Sequence, residues 1–180
     1  MKRLVSQAMI VLQTERLVLR RAHAEDDAAF IFGLLNEPSW LQYIGDRGVR
    51  TLADAQQYIV NSLQASYESY GFGLFVVAEK ATGTPVGLCG LIKRDFLEDV
   101  DIGYALCPPY WGKGYAFEAA YAVLDYGREA FGLKRIVAIT DKANDASGKL
   151  LEKLGLRWEG YVRKQPDQEE LKFFSIDFPS

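Results

Sequence analysis

Residues 108–119, PPYWGKGYAFEA, place two glycines and a lysine between a predicted strand and a predicted helix. The preceding segment, VDIGYALC, alternates as a strand does, and Pro108 and Pro109 stop further ladder pairing. The first N–H groups of a helix have no internal partners, and the helix dipole makes that end partly positive. Glycines let a phosphate approach the backbone and Lys113 adds a positive charge, so the turn is a candidate anion site. The alternative is a turn in which glycine only relieves backbone strain.

Two familiar phosphate-binding motifs do not fit this stretch. A P-loop needs glycine at position 107 and serine or threonine at position 114, but Cys107 and Gly114 occupy them. A dinucleotide fingerprint that starts at Gly112 needs glycine or alanine at position 117, which is Phe117, and no βαβ unit precedes it. The sequence therefore predicts neither a triphosphate loop nor a dinucleotide-binding domain.

Length and composition indicate one domain, residues 1–180, with its own hydrophobic core. Hydrophobic residues make up 49% and charged residues 25%, which is the mixture of an ordinary globular protein. The net charge of −3 does not favour duplex nucleic acid or an anionic membrane, so we expect no nucleic-acid and no membrane partner. The apolar stretch at residues 4–12 is too short to span a bilayer and has no cleavage site. We therefore expect a cytoplasmic protein.

Cysteine and histidine usage narrows the chemistry. Cys89 and Cys107 lie in predicted strands without a CxxC pair, so we expect buried, reduced thiols. His23 is the only histidine, which argues against a histidine-containing metal cluster or a Ser/His/Asp triad, and we expect no metal. Acid–base chemistry must then rest mainly on carboxylates, tyrosines, hydroxyls or water.

Hydrophobic periodicity and turn signals predict the order β-α-α-β-β-β-α-β-α-β-β, a mixed sheet with helices against it. Thr51 and Asp54 predict the start of the second helix, and Gly132 predicts the end of the third. Residues 36–50 contain one proline and two glycines and are predicted to be irregular. The predicted helices are residues 24–37, 51–70, 113–131 and 144–155; the predicted strands are residues 16–22, a hairpin at 73–94, and residues 98–107, 134–140, 156–164 and 169–178.

Four motifs occur in a characteristic order: TERLVLR at residues 14–20, DIGYAL at 101–106, PPYWGKGYAFEA at 108–119 and NDASGKLLEKLGL at 144–156. Together they resemble the GNAT superfamily of acyl-CoA-dependent N-acetyltransferases, and most of all the branch containing the ribosomal-protein N-terminal acetyltransferases. The resemblance covers about residues 13–178. It implies an α/β (α+β) fold with a mostly antiparallel central sheet, a splayed strand pair and about four flanking helices. It also implies acetyl-CoA, that is coenzyme A carrying an acetyl group, as the acyl donor.

The resemblance implies a cofactor site at the glycine turn and on both sides of the gap between the two splayed strands. The family signature is glutamine or arginine, two residues, glycine, one residue, then glycine or alanine, and its backbone amides hold the pyrophosphate of coenzyme A. Trp111 replaces the first residue, as is usual in the N-terminal-acetylating branch, so main-chain donors are expected to bind the phosphates. Interior strand residues with no ligand are the alternative for the strand positions. The implied cofactor residues are Ala105, Leu106, Cys107, Trp111, Gly112, Lys113, Gly114, Tyr115, Ala116, Asn144 and Ser147.

Direct acetyl transfer needs a neutral amine and a proton for the departing thiolate. Asp101 is the first candidate for the base, with Glu98, Asp99 or water as rivals, and a merely solvated acid is the alternative for each. Many members of the superfamily protonate the sulfur with a tyrosine in the last helix, but Leu151 stands there in this chain. The branch's Asn-x-x-Ser motif fits residues 144–147, so Ser147 becomes the candidate proton donor, with simple helix capping as the alternative.

The acceptor pocket is expected to draw on the loop at residues 36–48. Glu37, Trp40 and Tyr43 could receive a cationic amine, although such aromatics often only pack a loop onto a sheet. A protein N-terminus and a small-molecule amine, such as an antibiotic amine, a polyamine or an amino acid, all suit the scaffold. Transfer of a longer acyl chain, a non-catalytic acyl-CoA-binding or sensing module, and a fold that binds no coenzyme remain alternatives. An exposed strand edge could support a homodimer.

Overall fold

The computed structural model describes residues 9–179, and one eight-stranded sheet runs through them in the order β1-β2-β3-β4-β5-β6-β8-β7. Neighbouring strands are antiparallel except for β5 and β6, which are parallel. The sheet is therefore mixed and mostly antiparallel, as expected. The strands are β1 (Ile10–Gln13), β2 (Leu17–Arg20), β3 (Leu74–Glu79), β4 (Pro85–Ile92), β5 (Asp101–Leu106), β6 (Arg135–Asp141), β7 (Arg157–Val162) and β8 (Leu171–Asp177).

The strands β5 and β6 touch at one end only. Their single register position joins Asp101 to Val137, where the Val137 N–H donates to the Val100 carbonyl over 3.0 Å. On their other sides β5 pairs with β4 at six positions and β6 pairs with β8 at seven. The splayed pair implied by the family resemblance is present, and we call the gap between β5 and β6 the seam.

Within residues 9–179 five helices flank the sheet, and one of them is long and irregular. Helix α3 continues through a π-helical turn, Ile59–Gln64, into α4. Helix α1 packs on α3, α5 packs across β2, β4 and β5, and α6 lies beside β6 and β7. The helical segments are α1 (Ala28–Leu35), α2 (Pro38–Tyr43), α3 (Leu52–Tyr58), α4 (Ala65–Tyr70), α5 (Tyr115–Phe131) and α6 (Asp145–Lys153).

The structure adds two elements that the sequence pattern did not predict. Strand β1 lies at the edge of the sheet, paired only with β2, while residues 4–8 of the same apolar stretch lie outside the described residues. Helix α2 occupies part of the segment predicted to be irregular, because Pro38 stands in its first turn, where proline is tolerated. The rest of that segment is a loop in which Gly45 and Gly48 have positive φ.

The predicted caps are present where the sequence placed them. The Thr51 hydroxyl accepts from the Asp54 N–H, and the Asp54 carboxylate accepts from the Thr51 N–H, which forms a complete capping box. Gly132 ends α5 in a left-handed conformation. The two cysteines, Cys89 and Cys107, are unbridged. Cys89 is buried as predicted, which raises the pKa of its thiol, whereas Cys107 is only partly buried, because it lies just beyond the end of β5. No helix within residues 9–179 is both long and apolar enough to cross a bilayer.

A buried ion pair fixes the end of β2 to the start of α1. The Arg20 guanidinium donates two hydrogen bonds of 2.8 Å to the two carboxylate oxygens of Asp27. The His23 N–H donates a third hydrogen bond to Asp27 over 2.7 Å. Both charged side chains are more than nine-tenths buried, so the loss of either one would leave the other charge buried without a partner.

Removing one partner of this pair should therefore destabilise the fold. We expect Asp27→Leu to lower the free energy of unfolding by about 3 kcal/mol, and the double variant Arg20→Met with Asp27→Leu to recover most of that loss. Urea denaturation measures both. The exposed pair between Arg128 and Asp125 is the control, and Arg128→Ala should stay within about 0.5 kcal/mol of the wild type. An Asp27→Leu variant with the same free energy of unfolding as the wild type would contradict the conclusion that the Arg20–Asp27 pair stabilises the fold.

Candidate active site

The seam opens into a cavity of about 1020 Å³ that follows β5 from Asp101 to the glycine turn. Helices α2, α3, α5 and α6 and strand β6 complete its walls. Among the candidate site residues, Glu37, Cys107 and Lys113 do not line this cavity. Those that do are Trp40, Tyr43, Asp101, Ala105, Leu106, Trp111, Gly112, Gly114, Tyr115, Ala116, Asn144 and Ser147.

The glycine turn delays the start of helix α5. Gly112 and Gly114 adopt left-handed φ values of 74° and 79°, which side chains with a Cβ rarely adopt. Lys113 therefore stays in the turn, and the helix begins at Tyr115 rather than near Lys113 as predicted. The first intrahelical bond is the one from the Glu118 N–H to the Gly114 carbonyl. The N–H groups of residues 115–117 have no intrahelical acceptor and are the donors that an anion could use.

The TERLVLR motif holds this turn from outside. Arg16 donates 2.8 Å hydrogen bonds to the Lys113 carbonyl and to the Glu118 carboxylate, and its guanidinium lies 4.6 Å from the ring centroid of Tyr115. The Thr14 hydroxyl donates to the other Glu118 oxygen over 2.6 Å. Both ends of the turn are thus fixed to the segment before β2. The sequence identified TERLVLR as the first of four ordered motifs but did not predict these contacts.

Trp111 and Lys113 make contacts that differ from direct phosphate binding. The Trp111 indole N–H donates to the Leu106 carbonyl over 2.8 Å, which closes the turn on the end of β5, while 54% of the residue stays exposed. The Lys113 ammonium lies 5.4 Å from the ring centroid of Tyr110. The donors available to a phosphate are therefore main-chain N–H groups, and Lys113 adds an exposed positive charge at the surface.

The hydrogen-bonding direction of β5 can be read from its two ends. The Cys107 N–H donates to Val86 of β4, so the odd-numbered residues of β5 face β4, and the Val100 carbonyl accepts from β6, so the even-numbered ones face the seam. Beyond the single register position with β6, the main-chain N–H groups of Tyr104 and Leu106 face the gap without a strand partner. An extended ligand could pair with them as an added strand.

Asp101 is the one rival for the base that lines the cavity. Its side chain is 1% exposed, and Arg94 Nε lies 3.2 and 3.1 Å from its two oxygens. Burial raises the pKa of Asp101 to about 6 against the opposing effect of Arg94. Glu98 is exposed, and Asp99 pairs with Arg135 over 3.3 Å in a separate surface depression. A carboxylate of this pKa is ionised at neutral pH and can still accept a proton.

Ser147 lies across the seam from β5 and is joined to it through Tyr104. The Asn144 side chain accepts a hydrogen bond from the Ser147 N–H over 3.2 Å, so Asn144 caps α6. This is the helix-capping role that the sequence left open as the alternative. The Ser147 hydroxyl lies 2.9 Å from the Tyr104 hydroxyl, which is also 3.1 Å from the Ser147 carbonyl. Burial raises the pKa of Tyr104 to about 12, so this phenol stays protonated at neutral pH.

Tyr104 is a site residue that sequence reasoning missed, since it lay inside a motif chosen for its strand character. Leu151, which stands where the superfamily often has its tyrosine, is 1% exposed and belongs to the hydrophobic core. Tyr104 therefore brings a phenol to the cavity from β5 instead of from the last helix. The hydroxyls of Tyr104 and Ser147 thus lie side by side at the cavity.

The expected acceptor residues divide into two groups. Trp40 and Tyr43 line the same cavity as Asp101, and the buried indole N–H of Trp40 has no hydrogen-bond partner among residues 9–179. Glu37 lies outside the cavity. The pKa of the Cys107 thiol is raised mainly by the partial burial of that thiol and further by the negative charge of Glu37. The wall near Asp101 also contains Arg47, which the sequence did not single out.

Comparison with known proteins places the chain in a family. The family model described as "Acetyltransferase (GNAT) domain" matches residues 16–157. The "Uncharacterized protein YkkB" of Bacillus subtilis is 34% identical, covering 85% of this chain and 88% of its own. The "Uncharacterized N-acetyltransferase p20" of Bacillus licheniformis is 33% identical, covering 94% and 93%. The "[Ribosomal protein uS5]-alanine N-acetyltransferase" of Escherichia coli is 30% identical over 58% of this chain and 54% of its own.

Solved structures agree with the fold. A GNAT-family acetyltransferase from Bacillus anthracis superposes with a TM-score of 0.76 at 28% identity, covering 92% of this chain and 97% of the other. The ribosomal L7/L12 α-N-protein acetyltransferase RimL in complex with coenzyme A superposes at 0.79, covering 93% and 97%; at 16% identity it shows the fold alone. The chain belongs to the GNAT acetyltransferase family and is an N-acetyltransferase.

Proposed function

We propose that this N-acetyltransferase uses acetyl-CoA as its acyl donor and transfers the acetyl group directly to a primary amine. The observation that carries the proposal is the continuous path from the free N–H groups at the start of α5, along the unpaired edge of β5, to Asp101 and Ser147 in one cavity. The family supports the same donor, and a structural relative is a coenzyme A complex.

The residues of the seam suit coenzyme A. The main-chain N–H groups of residues 114–117 would bind the diphosphate, because the glycine turn leaves them open and the helix dipole favours negative charge there. The pantetheine arm would pair with the main chain of Tyr104 and Leu106, beside Ala105 and Cys107. From Asp101 to Leu106 the strand extends roughly 17 Å, which sets the distance between the two ends of the site.

Asp101 is proposed to act as the base. An α-amine, with a pKa near ~8, loses its proton to a buried carboxylate or through a water far more readily than a lysine does. The neutral nitrogen then forms a bond to the acyl carbon, and the carbon–sulfur bond breaks. A main-chain N–H on β5, that of Tyr104 or Leu106, would stabilise the negative charge that develops on the acyl oxygen.

Ser147 is proposed to protonate the departing thiolate. Its hydroxyl proton moves to the sulfur while the phenol of Tyr104, 2.9 Å away, supplies the replacement. As the amide forms, the nitrogen loses its second proton, which returns through solvent to the phenol of Tyr104 and replaces the proton delivered to the sulfur. The proton taken up by Asp101 is released to solvent, so one proton leaves per turnover and every side chain regains its starting state. Asn144 keeps the serine in position by holding its N–H at the start of α6.

The acceptor is proposed to be a protein N-terminus or a small-molecule amine. Relatives named as acting on ribosomal proteins include the alanine N-acetyltransferase of Escherichia coli, which favours an amine acceptor for this chain as well. We also propose that residues 1–180 form a single acetyltransferase domain. A homodimer through an exposed strand edge is a separate proposal; of the two edge strands, β7 carries the exposed aromatic residues Trp158 and Tyr161, and light scattering tests it.

The first prediction concerns cofactor binding and turnover. Titration calorimetry should show saturable binding of coenzyme A, and acetyl-CoA should release free thiol with some members of an amine panel. Arg16→Met, which removes the contacts that hold the glycine turn, should bind coenzyme A roughly tenfold more weakly. The control is Arg128→Met, an exposed arginine in the last turn of α5, away from the glycine turn, which should keep wild-type affinity.

Two results would contradict the proposed function in different ways. Absence of binding at millimolar coenzyme A would exclude the cofactor. Saturable binding with no thiol release on any amine would instead indicate a non-catalytic acyl-CoA-binding or sensing module. The absence of the superfamily's tyrosine at Leu151 is the observation that keeps this second candidate in view.

The second prediction concerns the pH dependence of turnover. Because burial raises the pKa of Asp101 to about 6, the carboxylate is increasingly protonated below that pH and can no longer accept a proton. We expect kcat to fall about tenfold per pH unit on that acid limb, and Asp101→Asn to lower kcat at least roughly 10²-fold and abolish the limb. Asp99→Asn, outside the cavity, should keep both rate and profile. An Asp101→Asn variant that is folded and retains the wild-type profile would exclude Asp101 as the base.

The third prediction concerns the proton donor. Ser147→Ala should lower kcat roughly tenfold or more, while the Kd for coenzyme A stays within a few-fold. Tyr104→Phe keeps the ring and removes the hydroxyl, so it should lower kcat as well. If the two hydroxyls act in one chain, the double variant should be no slower than Ser147→Ala alone. Unchanged turnover in Ser147→Ala would remove Ser147 from the mechanism.

A further inference from the structure

Positive charge gathers at the end of the cavity where Asp101 lies. Arg47 and Arg94 line the cavity there, and Lys164 lies near both. Of the three carboxylates that line the cavity, Asp101 is the one that lies against these cations; Asp141 ends β6, four residues beyond the position paired with Asp101, and Asp145 starts α6. The whole chain has a net charge of −3, so this local excess of positive charge is not a general property of the surface.

Arg94 has donors to spare. Its Nε is engaged by both oxygens of Asp101, but neither of its two terminal nitrogens donates a hydrogen bond within residues 9–179. The side chain is 23% exposed, so part of the guanidinium is accessible. The edge formed by the two terminal nitrogens is therefore free, and such an edge can bind a carboxylate or phosphate in a bidentate manner.

Arg47 and Lys164 add further positive charge near Arg94. Neither has a carboxylate partner within 4 Å among residues 9–179, while the neighbouring Asp46 pairs with Arg50. Arg47 lies beside the Tyr58 hydroxyl and opposes the rise in the pKa of Tyr58 that burial causes. Partial burial, and then the charges of Arg94 and Arg47, lower the pKa of Lys164. Like charges held this close repel one another, and a bound anion would relieve that repulsion.

The cofactor's diphosphate does not explain this cluster. The glycine turn, which supplies main-chain donors for a diphosphate, follows the far end of β5, roughly 17 Å from Asp101 along the strand. Arg47 lies instead beside Tyr58 of α3, on the wall of the cavity to which α2 and the π-helical turn contribute Trp40 and Ser62. Short π-helical turns are rare and often mark functional sites. This wall is where the acceptor would enter.

We propose that the acceptor carries a carboxylate a few atoms from its amine, and that Arg94 and Arg47 bind that carboxylate, with the positive charge of Lys164 behind them, while the amine lies at Asp101. The inference rests on the proposed function and names its substrate class: amino acids, or peptides with an acidic residue next to the N-terminus. Polyamines are excluded as good acceptors because the cluster repels them.

Matched acceptor pairs test the proposal. Acetyl-CoA is supplied with each standard amino acid or its carboxamide, and with the peptides Ala-Asp-Ala-amide or Ala-Asn-Ala-amide. We expect kcat/KM to favour the carboxylate member of at least one pair about tenfold or more. The amino-acid arm and the peptide arm distinguish a small-molecule acceptor from a peptide N-terminus.

Variants then assign the preference to the cluster. Arg47→Met and Lys164→Met leave the hydrogen bonds of Asp101 intact, and each should reduce the carboxylate preference, measured as the ratio of kcat/KM for the two members of a pair, several-fold. Lys80→Met, an exposed lysine in the turn between β3 and β4, is the control and should keep the wild-type preference. Arg94 is not varied, because its loss would also alter Asp101.

The outcomes separate the inference from the proposed function. Equal or better turnover of the uncharged members, or a preference that survives both variants, overturns the inference and leaves the acetyltransferase intact. If no acceptor causes thiol release, the proposed function is contradicted, and a binding measurement then tests the inference. In the presence of coenzyme A, N-acetyl amino acids should raise the Tm of the protein more than their carboxamides do. Arg47→Met should abolish this difference. Equal stabilisation by acids and amides overturns it.

Discussion

Strands β5 and β6 share one paired position, and the separation beyond it is the constraint on which the site depends. Each strand is fully paired on its outer side, so neither can shift to close the gap without breaking a ladder. The inner edge of β5 therefore holds main-chain donors and acceptors that need a partner from water or a ligand. Trp111 supplies one partner, at the carbonyl of Leu106, and the rest of the edge remains available.

The two ends of β5 offer different kinds of electrostatic interaction. At its carboxyl end the charge comes from oriented backbone N–H groups, which two glycines expose and which the Arg16–Glu118 contacts keep in place. At its amino end the charge comes from side chains, with Asp101 buried against Arg94. Backbone donors suit a ligand group that every turnover shares, whereas side chains can differ between relatives and so can set acceptor choice. This division fits a shared acyl donor and a variable amine.

The sequence was most informative where chemistry is local. The capping residues, the glycine turn, the strand 98–107 and the Asn144–Ser147 spacing all depend on contacts within a few residues, and the structure places them close to where they were predicted. The family resemblance supplied the splayed pair, which periodicity alone does not reveal. Helix α2 and strand β1 were missed because their stability comes from packing at the end of a loop and at a sheet edge.

Contacts between distant parts of the chain could not be predicted. Arg16 meets Glu118 across 102 residues, and Tyr104 meets Ser147 across 43. The cluster near Asp101 combines Arg47, Arg94 and Lys164 from three separate loops, so no sequence window contains it. Conversely, Glu37 and Lys113 had suitable charges but lie outside the cavity, because a residue's type does not fix the direction in which a loop presents it.

Amide hydrogen exchange tests the central claim most directly, because it reports on the main-chain groups that the seam leaves unpaired. With saturating coenzyme A, the N–H groups of Tyr104 and Leu106 and those of residues 115–117 should exchange at least about tenfold more slowly, while the edge strand β7 should not change. Slower exchange confined to those two segments would support the account. Unchanged exchange at Tyr104 and Leu106, under conditions where coenzyme A is demonstrably bound, would contradict it.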